Sequence, residues 1–267
     1  MGAEVPPPPE ITCTDLSLRY RNGAGWLDVL TPLTATFQAG HTTAILGPSG
    51  CGKSSWLRLI AGLEDGSSGE VSIGGLSPVQ AARAGRIAMA FQDPSLLPWR
   101  SVRGNVALAR RLARQAPDPS GVDELIRLVG LDSFAQARPH ALSGGMRQRA
   151  AIARSLATRP GLLLLDEPFA AVDEITRMRL NRELPPLWRS RGTTAILVTH
   201  SISEAVLLAD RVLVLSERPA RIIADMPITI GGGDADARRA APGFGQTVSA
   251  LQAILADATS RPVGAVA

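Results

Sequence analysis

Residues 47–54 read GPSGCGKS, three glycines followed by a lysine and a serine, and that lysine is the only one in the chain. Lysine and arginine together number 28, so the other 27 basic side chains are all arginine. Glycines at 47, 50 and 52 let backbone N–H groups curl around an anion, and a helix opening at the same point adds the positive end of its dipole. The spacing is G-x-x-x-x-G-K-[ST], which cradles nucleotide phosphates when a strand leads into it and a helix leads out. Gly47, Pro48, Ser49, Gly50, Cys51, Gly52, Lys53, Ser54 and Ser55 are therefore expected to bind nucleotide. Lys53 would reach the β and γ phosphates as a compact point charge, and the Ser54 hydroxyl would enter a Mg²⁺ shell. A planar arginine fork would not fill the same crevice equivalently. The alternative, a glycine-rich turn with a chance lysine, sits poorly with a chain that otherwise avoids lysine.

Two further stretches carry the same kind of chemistry. Residues 162–167, LLLLDE, form an apolar run ending in paired carboxylates. At a strand end beside a phosphate loop, Asp166 suits a Mg²⁺ shell and Glu167 suits the polarising of a water; alone, the pair could be no more than the acidic start of a helix. Residues 142–149, LSGGMRQR, place Ser143, Gly144 and Gly145 at a helix opening, a second anion-binding terminus or a plainly capped helix. A second terminus of this kind in one chain makes most sense if it serves another molecule's nucleotide.

The elements that must position these residues follow from periodicity. ITCTDLSLRY alternates as a strand, and residues 33–37 and 42–46 give further short strands. SSWLRLIAGL has helical spacing and closes at Gly62. EVSIGG and RIAMAFQ are strands, after which residues 94–158 show helical spacing with no strand pattern. Strands resume at 162–165, 194–198 and 212–215, separated by the helical segments EITRMRLNREL and SISEAVLLA. Strands alternating with helices predict an α/β fold with a parallel sheet, here carrying a helical insertion. Residues 1–10 are expected to be a disordered proline-rich arm, residues 11–217 the main domain, and residues 218–267 a short extension with a hairpin, a GGGDAD loop and one short helix.

Composition narrows the remaining classes. The net charge of +4 and pI near 10.0 raise nucleic acid or an anionic membrane as partners. Arginine usage lifts the pI by itself, however, and no block of like charge stands out, so no nucleic-acid partner is expected. Cys13 and Cys51 are too far apart for a metal spacing or a disulfide framework, and fit a reducing compartment. MGAEVPPPPE lacks the features of a signal peptide, and no run of 18 apolar residues predicts a membrane span. His41 and His140 match no motif.

The phosphate loop, Phe91-Gln92, LSGGMRQR, LLLLDEP, Ala171-Val172-Asp173 and Val198-Thr199-His200 stand in an order that resembles an ATP-binding-cassette ATPase over about residues 11–217. The resemblance implies a P-loop ATPase core, an N-terminal antiparallel β subdomain and the inserted α-helical subdomain. It implies ATP and Mg²⁺ as cofactors, and two chains bound head to tail with two ATP molecules between them. Carried over by position, Glu167 orients the attacking water, Asp166, Ser54 and Gln92 hold the metal, and His200 contacts the γ-phosphate. Ser143, Gly144, Gly145 and Gln148 complete the other chain's site, and Asp173 couples the two sites. Tyr20, the sole tyrosine, stands where that family places a ring under adenine, although it could equally be a strand-end packing residue. Ala170 departs from the Ser or Gly often found there.

FQDPSLLPWRSVRGNV, FAAVDEITRMRLNREL and SEAVLLADRVLVLSERPARI resemble the importers of nitrate, sulfonates, taurine and pyrimidine precursors. This implies a homodimer on the cytoplasmic face of the inner membrane, bound to integral permease subunits and served by a periplasmic or extracellular solute-binding protein. A permease helix would dock beside residues 92–103. Leu96, Leu97 and Trp99 suit such a surface, or else pack inside the helical insertion. A soluble cassette ATPase of repair or translation is the competing class, but no long heptad pattern or second cassette is present in this sequence.

Overall fold

The structure is a computed structural model and describes residues 7–23, 25–231 and 235–260. In chain order its strands are β1 (Ile11–Asn22), β2 (Gly25–Phe37), β3 (Thr42–Leu46), β4 (Ser68–Ile73), β5 (Ile87–Ala90), β6 (Leu162–Asp166), β7 (Thr194–Val198), β8 (Arg211–Leu215) and β9 (Ile222–Pro227). The α-helices are α1 (Lys53–Ala61), α2 (Pro78–Arg83), α3 (Val102–Leu112), α4 (Pro119–Leu128), α5 (Gly144–Leu156), α6 (Glu174–Glu183), α7 (Pro185–Arg189), α8 (Ile202–Leu208), α9 (Ala235–Ala240) and α10 (Gly243–Ser260).

Every residue of β3, β6 and β7 is buried, as strands covered on both faces must be. They lie in a six-stranded sheet of order β5-β6-β7-β3-β8-β9, parallel except where β9 runs antiparallel to β8. Ligands of such sheets sit outside the carboxyl ends of the strands. The loop after β3, the Asp166-Glu167 end of β6 and the His200 end of β7 leave that same edge.

A second, antiparallel sheet of order β2-β1-β4 lies against the first. Ile11, Phe37 and Trp56 are 0% exposed and belong to the hydrophobic cluster between them, with the Phe37 and Trp56 rings 5.6 Å apart. β2 is much longer than residues 33–37 suggest, because Pro32 and polar neighbours hide the alternation while pairing with β1 runs out to Asn22↔Gly25. That length carries the β1–β2 hairpin, with Tyr20 opposite Leu27, to the carboxyl edge.

Between residues 94 and 158 the regular structure is helical. Ser101, Asp118 and Ser143 cap α3, α4 and α5 by accepting from Gly104, Gly121 and Met146 N–H groups at 3.1, 3.0 and 3.2 Å. Val102, Val106, Val122 and Ile126 meet α5 in a cluster that continues to the β6 side chains Leu163 and Leu165.

The two ends of the chain depart from expectation. Residues 1–6 lie outside the described residues, but the remainder of the proline arm is docked. Pro9 is buried and its carbonyl accepts from Thr194 Oγ1 at 2.7 Å, while the Glu10 carbonyl accepts from Gly74 N at 2.8 Å. An extended polyproline segment keeps its carbonyls free for such bonds. At the other end the extension holds one strand in place of a hairpin, β9, which pairs antiparallel with β8; residues 232–234 of the GGGDAD loop lie outside the described residues, and two helices follow in place of one short one. α10 spans 18 residues because Phe244, Val248 and Leu251 find a hydrophobic seat against Ala205 and Val206 of α8, a contact invisible in local sequence. No described helix is long and apolar enough to cross a membrane.

Arg238 of α9 fastens this extension. The residue is 7% exposed, and its guanidinium donates to the Leu207 and Ala209 carbonyls and to Asp210, at 3.3, 2.6 and 3.1 Å. Arg238→Ala is expected to lower stability by about 2 kcal/mol, the scale of charge-assisted hydrogen bonds. A urea midpoint equal to the wild type's would show that the extension contributes nothing to the fold.

Candidate active site

The site is built where β3 turns into α1. Gly50 and Gly52 have φ of 73° and 122°, in the region that favours glycine, and a Cβ on Gly52 would lie 2.9 Å from Val29 Cγ1. The loop is thereby pressed against β2. Gly52 opens α1 with no side-chain cap, which leaves the first-turn N–H groups available to an anion. Lys53 is 5% exposed, and its Nζ donates to the Gly47 and Pro48 carbonyls at 2.8 Å each. Among the described residues it has no ion-pair partner, so a buried ammonium is held by the loop's own carbonyls with a donor to spare.

The neighbouring strand ends add the carboxylates. Ser54 Oγ donates to Asp166 Oδ1 at 2.7 Å. Burial raises the Asp166 pKa, and the adjacent Glu167 adds to this, while Ser54, Arg58 and Lys53 pull it down. Glu167 has φ of 45°, an unusual conformation for a non-glycine residue, and its N–H donates to the Val198 carbonyl at 2.9 Å. Gln92 Nε2 lies 3.4 Å and His200 Nδ1 3.5 Å from Glu167 Oε2. Two side chains, one from just past β5 and one from just past β7, thus converge on a single carboxylate oxygen.

These groups border a cleft of ≈ 600 Å³ lined by Tyr20, Ser49, Gly50, Gly52, Lys53, Ser54, Ser55, Gln92, Glu167 and His200. The Tyr20 hydroxyl donates to Glu64, leaving the ring at the cleft wall. Gly47 and Pro48 contribute backbone behind the loop, and Asp166 sits behind Ser54. The Cys51 side chain points inward, 2% exposed, so only its backbone can face a ligand. Val29, Arg58 and Arg218 also line the cleft and were not singled out from the sequence. Arg58 follows Ser54 by one helical turn, a phase relation that could have found it.

The second glycine motif lies apart from this cleft in its own chain. Ser143 caps α5, and a Cβ on Gly145 would fall 2.7 Å from the Ala171 carbonyl, so the motif packs on the segment leading to Asp173. Asp173 caps α6 through the Thr176 N–H at 3.0 Å, and that bond holds its carboxyl below the usual range. Gln148 corrects the sequence reading. It is 1% exposed and donates to the Phe91 carbonyl at 3.2 Å, bracing the segment before Gln92 from inside the chain, so its side chain cannot meet a second chain. The LPW stretch divides: Leu96 packs on the helical core, Leu97 lines a second cleft with Phe91, Leu112 and Arg154, and Trp99 is 67% exposed.

The family model described as ABC transporter matches residues 30–170. The chain belongs to the ABC transporter family. This cassette is 45% identical over 200 residues to an aliphatic sulfonates import ATP-binding protein of Pseudomonas syringae pv. tomato, covering 75% of this chain and 81% of that one. It is 44% identical over 217 residues to a taurine import ATP-binding protein of Rhizobium johnstonii, covering 79% and 82%. Among solved structures, an ATP-binding cassette captured as a dimer in a post-hydrolysis state with ADP and Pi superposes with a TM-score of 0.76 at 28% identity, over 84% of this cassette and 100% of that chain. The cassette is accordingly an ATP-hydrolysing enzyme with a P-loop core, an antiparallel β subdomain and a helical subdomain.

Proposed function

We propose that the cassette is the ATPase subunit of an importer for small sulfonates, taurine among them, working as a head-to-tail pair on the cytoplasmic face of a membrane permease. The observation that carries this reading is the gathering of Lys53, Ser54, Gln92, Glu167 and His200 around one open cleft at the carboxyl edge of the sheet. The names of the relatives support the cargo class, and the dimeric neighbour supports the pairing.

In this scheme the adenine lies against Tyr20 and the phosphates lie in the glycine-rich loop, with Lys53 bridging the outer two. Ser54, Asp166 and Gln92 offer hydroxyl, carboxylate and amide oxygens, the hard donors that Mg²⁺ prefers, and the 2.7 Å Ser54–Asp166 contact shows that two of them converge. Mg²⁺ bound there would supply charge to the β and γ phosphates. Glu167 orients the attacking water and takes its proton; His200 steadies Glu167 and meets the γ-phosphate. Ser143, Gly144 and Gly145 of one copy close over the nucleotide of the other, with Asp173 linking the two sites. ATP between the copies favours the closed pair, and loss of the γ-phosphate contacts lets it open.

The permease would dock along the second cleft, beside Leu97 and the exposed Trp99. An affinity-tagged Glu167→Gln chain recovered from its native membranes in Mg-ATP is expected to bring down an integral membrane protein with it. Adding Trp99→Ala is expected to weaken that recovery, since a buried aromatic anchor contributes about 2 kcal/mol or more to an interface. Recovery of a soluble or nucleic-acid partner instead would overturn the importer and leave a soluble cassette ATPase.

A further inference from the structure

We propose that Arg218 is a further nucleotide-site residue, a clamp on the glycine-rich loop that fixes the loop's phosphate-binding shape and adds a second cation beside the phosphates. The inference rests on the reading that the cleft takes nucleotide phosphates. Arg218 lines the same cleft as Lys53 and Ser54. Its Nε donates to the Gly50 carbonyl at 3.1 Å, and its Nη2 donates to the same oxygen.

The grip has a direct geometric consequence. A trans peptide is planar, with its C=O and N–H pointing in opposite directions. Holding the Gly50 carbonyl toward Arg218 therefore aims the Cys51 N–H back into the loop, where it already donates to the Pro48 carbonyl at 3.3 Å. That carbonyl is also one of the two that hold Lys53. Arg218, the Gly50–Cys51 peptide and Lys53 thus form one chain of hydrogen bonds around the loop. Gly50, at φ of 73°, is the residue that lets the peptide turn this way.

Arg218 is itself held in place. Its turn is stitched to β2 by Ala220 N–H to the Val29 carbonyl at 2.8 Å and Thr31 N–H to the Ala220 carbonyl at 3.0 Å. Val29 also lines the cleft. The turn closes on β8 through Ser216 N–H to the Arg221 carbonyl at 2.9 Å. Among the described residues Arg218 has no ion-pair partner, and a guanidinium carries five N–H donors, so those not spent on Gly50 remain for a phosphate oxygen. A cation fixed before the ligand arrives costs no reorganisation on binding.

The test is the affinity of Arg218→Ala for ADP, by calorimetry, and for adenosine, by NMR titration, with Arg221→Ala and Lys53→Ala alongside. The clamp predicts about a tenfold loss for ADP, equivalent to about 1.4 kcal/mol. It predicts no change for adenosine or in the melting temperature without ligand, a partial return of ADP affinity in Arg218→Lys, and wild-type affinity in Arg221→Ala. Unchanged ADP affinity overturns it, as does an equal loss for ADP and adenosine, which would make Arg218 a mere prop of the turn. If Lys53→Ala also leaves ADP affinity intact, the phosphate reading of the cleft fails with it. A loss in Lys53→Ala but none in Arg218→Ala removes the clamp alone.

Discussion

Glu167→Gln is expected to slow ATP turnover by about 10²–10⁴-fold, the range supplied by a positioned general base. The substitution is nearly isosteric, so the left-handed backbone at Glu167 and its N–H bond to Val198 should persist. What disappears is the negative oxygen on which Gln92 and His200 converge at 3.4 and 3.5 Å. A neutral amide cannot take the proton of an attacking water, yet nothing that would hold the phosphates is touched. Binding should therefore survive while chemistry stops, and the protein should collect as a closed pair loaded with ATP. Phosphate release measures the first effect and sedimentation in Mg-ATP the second. A variant that remains monomeric with Mg-ATP counts heavily against the head-to-tail scheme.

Lys53→Ala is the other large effect, and it acts on binding. Nucleotide affinity is expected to fall by about 100-fold or more, about 2.7 kcal/mol, since each charge-assisted bond to a phosphate contributes about 1.5–3 kcal/mol. Two losses combine here. The only compact cation of the loop is removed, and the Gly47 and Pro48 carbonyls lose the Nζ that joins them at 2.8 Å, leaving Pro48 with the 3.3 Å bond from the Cys51 N–H and loosening the empty loop. Lys53→Arg should not rescue the variant, because a side chain only 5% exposed has no room to become a planar fork. Calorimetric titration with ADP checks both variants. Wild-type affinity in either would place the phosphates elsewhere.

Legibility in the sequence followed the range of the interactions concerned. The glycine-rich loop, the buried strand ending in Asp166-Glu167 and the capped start of α5 each carry their chemistry within about ten residues, and each was readable before any fold was known. The convergence of Glu167, Gln92 and His200 was available only through the resemblance, because β5, β6 and β7 bring them together across more than a hundred residues. Arg218 escaped notice because its partner Gly50 lies 168 positions away and is a backbone carbonyl, which leaves no trace in side-chain pattern. Gln148 was misread for a related cause. Its motif fixes the residue type, while its burial against Phe91 depends on how α5 packs on the end of β5. The length of α10 was hidden because its seat on α8 is tertiary.

An importer role is tested by uptake of labelled taurine and a labelled alkanesulfonate by cells of the native host lacking this chain, supplied with either the wild-type or the Glu167→Gln form. Deletion is expected to abolish uptake of at least one of these solutes, the wild-type chain to restore it, and Glu167→Gln to leave it abolished. Uptake that survives deletion, or that Glu167→Gln restores as well as the wild type does, would contradict that role.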